Sequence, residues 1–402
     1  MNGIKIVARE ILDSRSRPTI EVEAHYGDIA VTASVPSGKS TGSREAMELR
    51  DTDGSVSSAI KNINGEIAEM LSEMELDPLT IDARLRELDG TDNYARLGAN
   101  SVLAVSIAMR RLASLRDGIP LWQYIAKESG FTAKFPALFM NMINGGAHAN
   151  FNLPFQEHIA IITGKPSESY ALGKEIFEEL GNKITVKYGE VMMGDEGGYA
   201  PKFQDGEDEA FKTLFGVIEG SAGVHIAIDA AASELYKDGR YDIEGKKLSS
   251  QELQEFYIKL IHTFDLKSIE DPFSEFDEEP FAPFLASVPV GTLVVGDDLT
   301  VTNKERVEAL SLKHSVNAMI VKPNQIGTLS DVYEAVRAAR AVGWKIVASH
   351  RSGETMDDFL ADFAVGIGAD GIKAGAPSQA PRRVKYERLI AIEQEGGGVI
   401  GI

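Results

Sequence analysis

The chain has 402 residues, with 41 Lys and Arg against 61 Asp and Glu and a formal net charge of −20, which argues against a nucleic-acid partner because phosphate binding needs a positive surface. It contains no cysteine, so disulfides, thiolate metal sites and a cysteine nucleophile are excluded. With 43% apolar and 25% charged residues it is composed like a globular protein, and it shows neither a signal-peptide core nor an apolar run near the roughly 18 residues of a membrane span; a cytoplasmic protein with no membrane partner is expected.

In chain order, strands are predicted at 4–7, 18–26 and 29–35, where Ile20, Val22 and Ala24 alternate with polar neighbours. The pattern becomes helical from Ser43, with apolar residues at helical spacing over 59–74 (Ile60, Ile63, Ile67, Leu71) and an alanine-rich run over 99–115. Three strands followed by helices describe an α+β domain over residues 1–130, and 131–136 reads as the connection onward. Pro36-Ser37-Gly38-Lys39-Ser40-Thr41 contains the G-K-S of a phosphate-binding loop, but Ala33 stands where that pattern requires glycine.

From 131 to 402 short β-branched runs recur, each closed by an ionisable residue: Asp229, Glu270, Asp297, Lys322, His350 and Lys373. The steps between them are 41, 27, 25, 28 and 23 residues, close to the length of one strand, one helix and their loops. Six such units predict an α/β domain, a parallel barrel or a doubly wound sheet, and in a barrel the six side chains converge at the C-terminal strand ends.

Three hard carboxylates, Asp229, Glu270 and Asp297, suit an oxygen-liganded cation such as Mg²⁺, Mn²⁺ or Ca²⁺. A lysine shielded beside a cation loses its proton more easily and serves as a base, and a second lysine holds a substrate carboxylate, so Lys322 and Lys373 have separate uses. Arg351 and Ser352, beside Gly353, suit phosphate or carboxylate recognition. Residues 194–198 (GDEGG) place Glu196 in a turn, and 141–150 (NMINGGAHAN) reads as a glycine-rich loop carrying His148, with Gln156 and Glu157 shortly after. Together these groups describe proton abstraction beside a metal-bound carboxylate.

The segments ILDSR at 11–15, VPSG at 35–38, LGAN at 97–100, NGG at 144–146, GDEGG, SIEDP at 268–272, GDDL at 296–299, NQIGT at 324–328, SHRSGET at 349–355 and GAP at 375–377 resemble the enolase family nearly end to end. The resemblance implies a C-terminal TIM-like (β/α)8-type barrel over 131–402 behind the smaller domain, and the interconversion of 2-phosphoglycerate and phosphoenolpyruvate. It implies that Asp229, Glu270 and Asp297 bind a first Mg²⁺, with Ser40 reaching a second. Lys322 removes the carbon-2 proton, and Glu196 with Glu157 assists hydroxide departure. Lys373, Arg351, Ser352 and His148 bind a phosphorylated carboxylate, with Gln156 and His350 placed in the same set. It also implies a homo-oligomer, a dimer or a multiple of dimers. The chain departs from the family at Ser16-Arg17, Lys39, His158, Ala374, residues 379–382 and Ala391. Two alternatives stay open: a paralogue acting on another carboxylate, and a non-catalytic binding protein.

Overall fold

The structure, a computed structural model, describes residues 3–39 and 42–395. Strands β1 (Lys5–Leu12), β2 (Pro18–Tyr26) and β3 (Ile29–Ser34) form an antiparallel meander. Its alternating Ile6, Ala8, Ile20, Val22 and Ala24 are buried, and helix Ala99–Asp117 packs on β2 and β3. β1 extends five residues past its predicted end at Val7.

Two helical expectations are corrected. Residues 42–56 form no helix, because their backbone N–H groups are spent elsewhere: Ala46 donates to the Gln325 carbonyl at 2.8 Å, Met47 to the Asn93 carbonyl at 2.8 Å and Leu49 to the Asn100 side chain at 3.1 Å. With the first helix starting only at Ser57, no helix follows the G-K-S sequence as a phosphate-binding loop requires. The helix expected over 59–74 breaks into Ser57–Asn62 and Ala68–Ser72, with a wide turn at Ile63–Ile67 around Gly65. There Asn64 uses its amide on the open edge of β1, accepting from Ala8 N at 2.7 Å and donating to Ala8 O at 3.0 Å. Pairing a bare strand edge outweighs one continuous helix.

The second part is a closed eight-stranded barrel of β4 (Ala137–Asn144), β5 (Glu157–Ile162), β6 (Val224–Asp229), β10 (Ser268–Glu270), β11 (Leu293–Gly296), β12 (Ala318–Val321), β13 (Lys345–Ser349) and β14 (Gly371–Lys373). The 41-residue step after Asp229 is long because a small sheet, β7 (Tyr236–Lys237), β8 (Arg240–Ile243) and β9 (Lys246–Leu248), precedes helix Ser250–Phe264. That helix starts at a capping box, Ser249 and Glu252 bonding each other's backbone N–H.

The barrel is not uniformly parallel: β5 runs antiparallel to both β4 and β6. Its N-terminal end therefore lies at the same rim as the C-terminal ends of the other strands. The expected loop 141–150 begins later than predicted, since 141–144 complete β4.

Phe139, Ile159, Ile161, Ala227, Val295, Ala318, Ile320 and Val347 fill the barrel interior, while the alternate residues pack outward in the main core. The interior is tight enough that a Cβ on Gly371 would stand 2.5 Å from the Phe139 ring. The N-terminal part docks on the rim: Ser37 and Gly353 exchange backbone hydrogen bonds of 2.8 and 2.9 Å. A Cβ on Gly353 would meet Asp13 Oδ2 at 2.1 Å, so glycine is required by the approach of the first sheet's loop. Within that loop Ser16 takes φ +60, a conformation that favours glycine. Asp13 Oδ1 holds it by accepting from Arg15 N at 2.8 Å and Arg17 N at 2.9 Å.

Candidate active site

The period of two along each strand positions the site. Asp229 lies two residues beyond interior Ala227, Asp297 beyond Val295, Lys322 beyond Ile320, Asn141 beyond Phe139 and Lys373 beyond Gly371. On antiparallel β5, Glu157 lies two residues before interior Ile159 and so reaches the same rim, in register with Asp229 and Asn144. His350 breaks the pattern: Ser349 holds the inward position beyond Val347, and His350 follows the strand.

Lys373 Nζ sits among three carboxylates, 3.0 Å from Asp229 Oδ2, 2.9 Å from Glu270 Oε2 and 3.1 Å from Glu157 Oε1. Burial disfavours its charge, but these acids outweigh burial and raise its pKa well above the usual lysine range. Lys322 pairs with Asp297, whose Oδ1 also accepts from Gln325 Nε2 at 3.0 Å. Burial lowers Lys322, but Asp297 outweighs burial and raises it; the lowering expected of a lysine beside a cation concerns the metal-loaded site.

On the facing side His350 accepts from Arg382 at Nδ1, so its proton is on Nε2, which donates to Glu196 Oε2 at 3.1 Å. Burial holds His350 at about 4, hence neutral. Asn141 Nδ2 also donates to Glu196 Oε2, at 3.2 Å. His148 Nδ1 stands 3.7 Å from Glu196 Oε1 and 3.9 Å from Glu157 Oε1. Burial and then the neighbouring Glu196 raise Glu157, whereas His350 and His148 overcome burial at Glu196 and lower it. The two acids therefore sit in unlike environments, with Glu157 keeping a proton more readily than Glu196. Glu196 is held by its turn: Asp195 N donates to His148 O at 3.0 Å and Gly198 N to Asn144 Oδ1 at 3.0 Å.

Arg351 and Ser352 are buried beside this cluster, and Gln156 Nε2 donates to Asp229 Oδ2 at 3.2 Å. Arg351 is held by both oxygens of Glu45, at 2.9 and 3.1 Å, and by Asn324 Oδ1 at 3.1 Å. One narrow cavity of about 30 Å³ is lined by His148, Glu157, Glu196, Asp229, Asp297, Lys322, Arg351 and Lys373. Ser40 lies outside the described residues. Glu45, Asn141, Gln325 and Arg382 were missed in the sequence. Asn141, a polar residue inside the apolar run of β4, carried a usable signal; Glu45 lies in an irregular segment and had none.

The N-terminal part matches the family model described as Enolase, N-terminal domain, over residues 4–125, and the barrel matches Enolase, C-terminal TIM barrel domain, over residues 132–400. An enolase of Methanocaldococcus jannaschii is 44% identical over 407 residues, covering 98% of this chain and 95% of its own. Enolases of Methanosarcina barkeri and Methanosarcina acetivorans are 43% and 42% identical with the same coverage. The chain belongs to the enolase family. It is a hydro-lyase of that family, and the TIM barrel expected from the resemblance is its fold, with β5 reversed. Of its departures from the enolase pattern, His158 is buried and 2.8 Å from Glu207 Oε2, and Lys39 reaches Asp195.

Enolase-family membership implies a divalent metal, and the donor set fits one. Only oxygen donors are offered on the neighbouring strands β6, β10 and β11, as a hard cation requires. Negative charge is crowded there: Glu270 is raised well above the usual carboxylate range by burial and Asp229, and Asp298 is pushed to about 8 by burial and Asp297. Asp271, Asp297 and Asp298 bring carboxylate oxygens within 4.8 Å of one another. Asp297→Asn is expected to weaken Mg²⁺ binding by at least about tenfold in titration calorimetry; unchanged affinity would remove Asp297 from the ligand set.

Proposed function

We propose that the chain interconverts 2-phosphoglycerate and phosphoenolpyruvate, as an enolase of glycolysis and gluconeogenesis in the cytoplasm, with Mg²⁺ as its metal. The observation that carries this reading is the single cavity shared by Lys322, Lys373, Arg351 and the Glu196–Glu157 pair. Lys322 takes the proton from carbon 2. The carbon–carbon double bond forms as the carbon 3–oxygen bond breaks, and the departing hydroxide takes the proton of the Glu196–Glu157 pair and leaves as water. Lys373 faces the substrate carboxylate, while Arg351 exchanges Glu45 for the phosphate, with Ser352, His148, His350 and Gln156 around the bound molecule. Asp229, Glu270 and Asp297 would hold the first Mg²⁺ and Ser40 would reach a second; when bound, the metal stabilises the charge that builds on the carboxylate.

We also propose that residues 1–130 and 131–402 are the two folding units and that the chain is a homo-oligomer. Leu12, Leu115 and Met356, 62%, 55% and 59% exposed, rim one groove of about 820 Å³ and support the second point. Among the described residues no helix is long and apolar enough to cross a membrane. The test is the ultraviolet absorbance of phosphoenolpyruvate formed from 2-phosphoglycerate, with Mg²⁺ and after chelation. Metal-dependent turnover is expected; Mg²⁺ binding without turnover would overturn the reading in favour of a paralogue with another substrate.

A further inference from the structure

Lys39 is the residue that neither the fold nor the chemistry above uses. Its Nζ donates to Asp195 Oδ2 at 2.7 Å and to the Ala147 carbonyl at 2.8 Å. These two acceptors lie on different turns, and each is the chain neighbour of a site residue, Glu196 in one case and His148 in the other. The turns are already joined by Asp195 N donating to His148 O at 3.0 Å. Asp195 is held further by its carbonyl, which accepts from Arg382 at 3.3 Å, the same arginine that fixes the His350 tautomer. Lys39 itself comes from the N-terminal segment docked through Ser37 and Gly353, where Arg15 donates to the carbonyls of Ser37 at 3.1 Å and Gly38 at 3.3 Å.

From this juxtaposition we propose that Lys39 is a positioning residue: through Asp195 and Ala147 it fastens the N-terminal segment to both turns and sets Glu196 and His148 for loss of the hydroxyl. The inference rests on the functional reading above. An ammonium is suited to the task because it has three donors and no acceptor, so it bridges a carboxylate and a carbonyl at once. Lys39 and Asp195 side chains are 38% and 27% exposed, so the link is of the modest, salt-sensitive kind. Its effect belongs in the rate of the chemical step rather than in substrate affinity, since neither residue lines the cavity.

The experiment compares wild type, Lys39→Ala, Lys39→Arg, Asp195→Asn and Lys39→Ala/Asp195→Asn, after wild-type turnover of 2-phosphoglycerate has been established. Absence of that turnover would sink the functional reading itself, a result separate from the comparison that follows. Lys39→Ala is expected to lower kcat about three- to fivefold and to leave KM within about twofold. Lys39→Arg should recover most of the loss, and the double variant should be no slower than the slower single variant. Added salt should lower wild-type kcat toward that of Lys39→Ala and leave the variant's kcat unmoved. An unchanged kcat in Lys39→Ala, a loss confined to KM, or losses that multiply in the double variant would each overturn the proposal.

Discussion

Lys322→Ala is expected to lower kcat by about 10⁴-fold or more, with Mg²⁺ binding retained within about tenfold. The reason is positional. Lys322 stands two residues beyond interior Ile320, so the barrel wall aims it into the cavity, and no other described lysine except Lys373 lines that cavity. Lys373 cannot replace it, because its Nζ is tied down among three carboxylates, Asp229, Glu270 and Glu157, whereas Lys322 pairs with Asp297 alone. The variant also leaves Asp297 without its lysine partner, which favours a cation at that carboxylate and is why metal binding should survive. The checks are steady-state kinetics beside calorimetric titration with Mg²⁺. Retained turnover would remove Lys322 as the base; lost turnover together with lost metal binding would make it a structural partner of Asp297.

The strand ends were legible because a barrel strand alternates with a period of two, so an ionisable residue closing an apolar run marks the rim. Asp229, Glu270, Asp297, Lys322 and Lys373 were found this way and are brought together. The reversal of β5 was not legible, since a short run such as EHIAII carries no mark of direction. Glu45 was hidden for another reason. It acts from a segment whose backbone bonds go to Gln325 and Asn93, partners remote in sequence that no local pattern specifies. Arg382 was hidden within the first turn of a helix, Ala380–Gln394, where a cation reads as ordinary surface until the fold turns it onto His350. Packing alone separates the two acids of GDEGG: Glu196 is buried in the site and Asp195 turns toward Lys39.

Glu196→Gln is expected to lower kcat by about 10²–10⁴-fold with little change in KM. The amide keeps the shape and still accepts from His350 Nε2 and Asn141 Nδ2, the two donors that now orient the carboxylate. What it removes is the ionised carboxylate beside the leaving hydroxyl. An amide can neither take up nor pass on a proton, so the hydroxide loses the carboxylate that serves its departure together with Glu157, which burial and the Glu196 charge raise. Because the two acids act as one unit, Glu196→Gln/Glu157→Gln should be about as slow as the slower single variant rather than slower by the product. The step affected separates this variant from Lys322→Ala. If Lys322 acts at carbon 2 and Glu196 at carbon 3, Glu196→Gln should still exchange the carbon-2 proton of 2-phosphoglycerate with deuterium from solvent, as followed by proton NMR, while Lys322→Ala should not. Exchange lost in both variants would assign both groups to proton abstraction, and exchange retained in both would return the base to an unassigned residue.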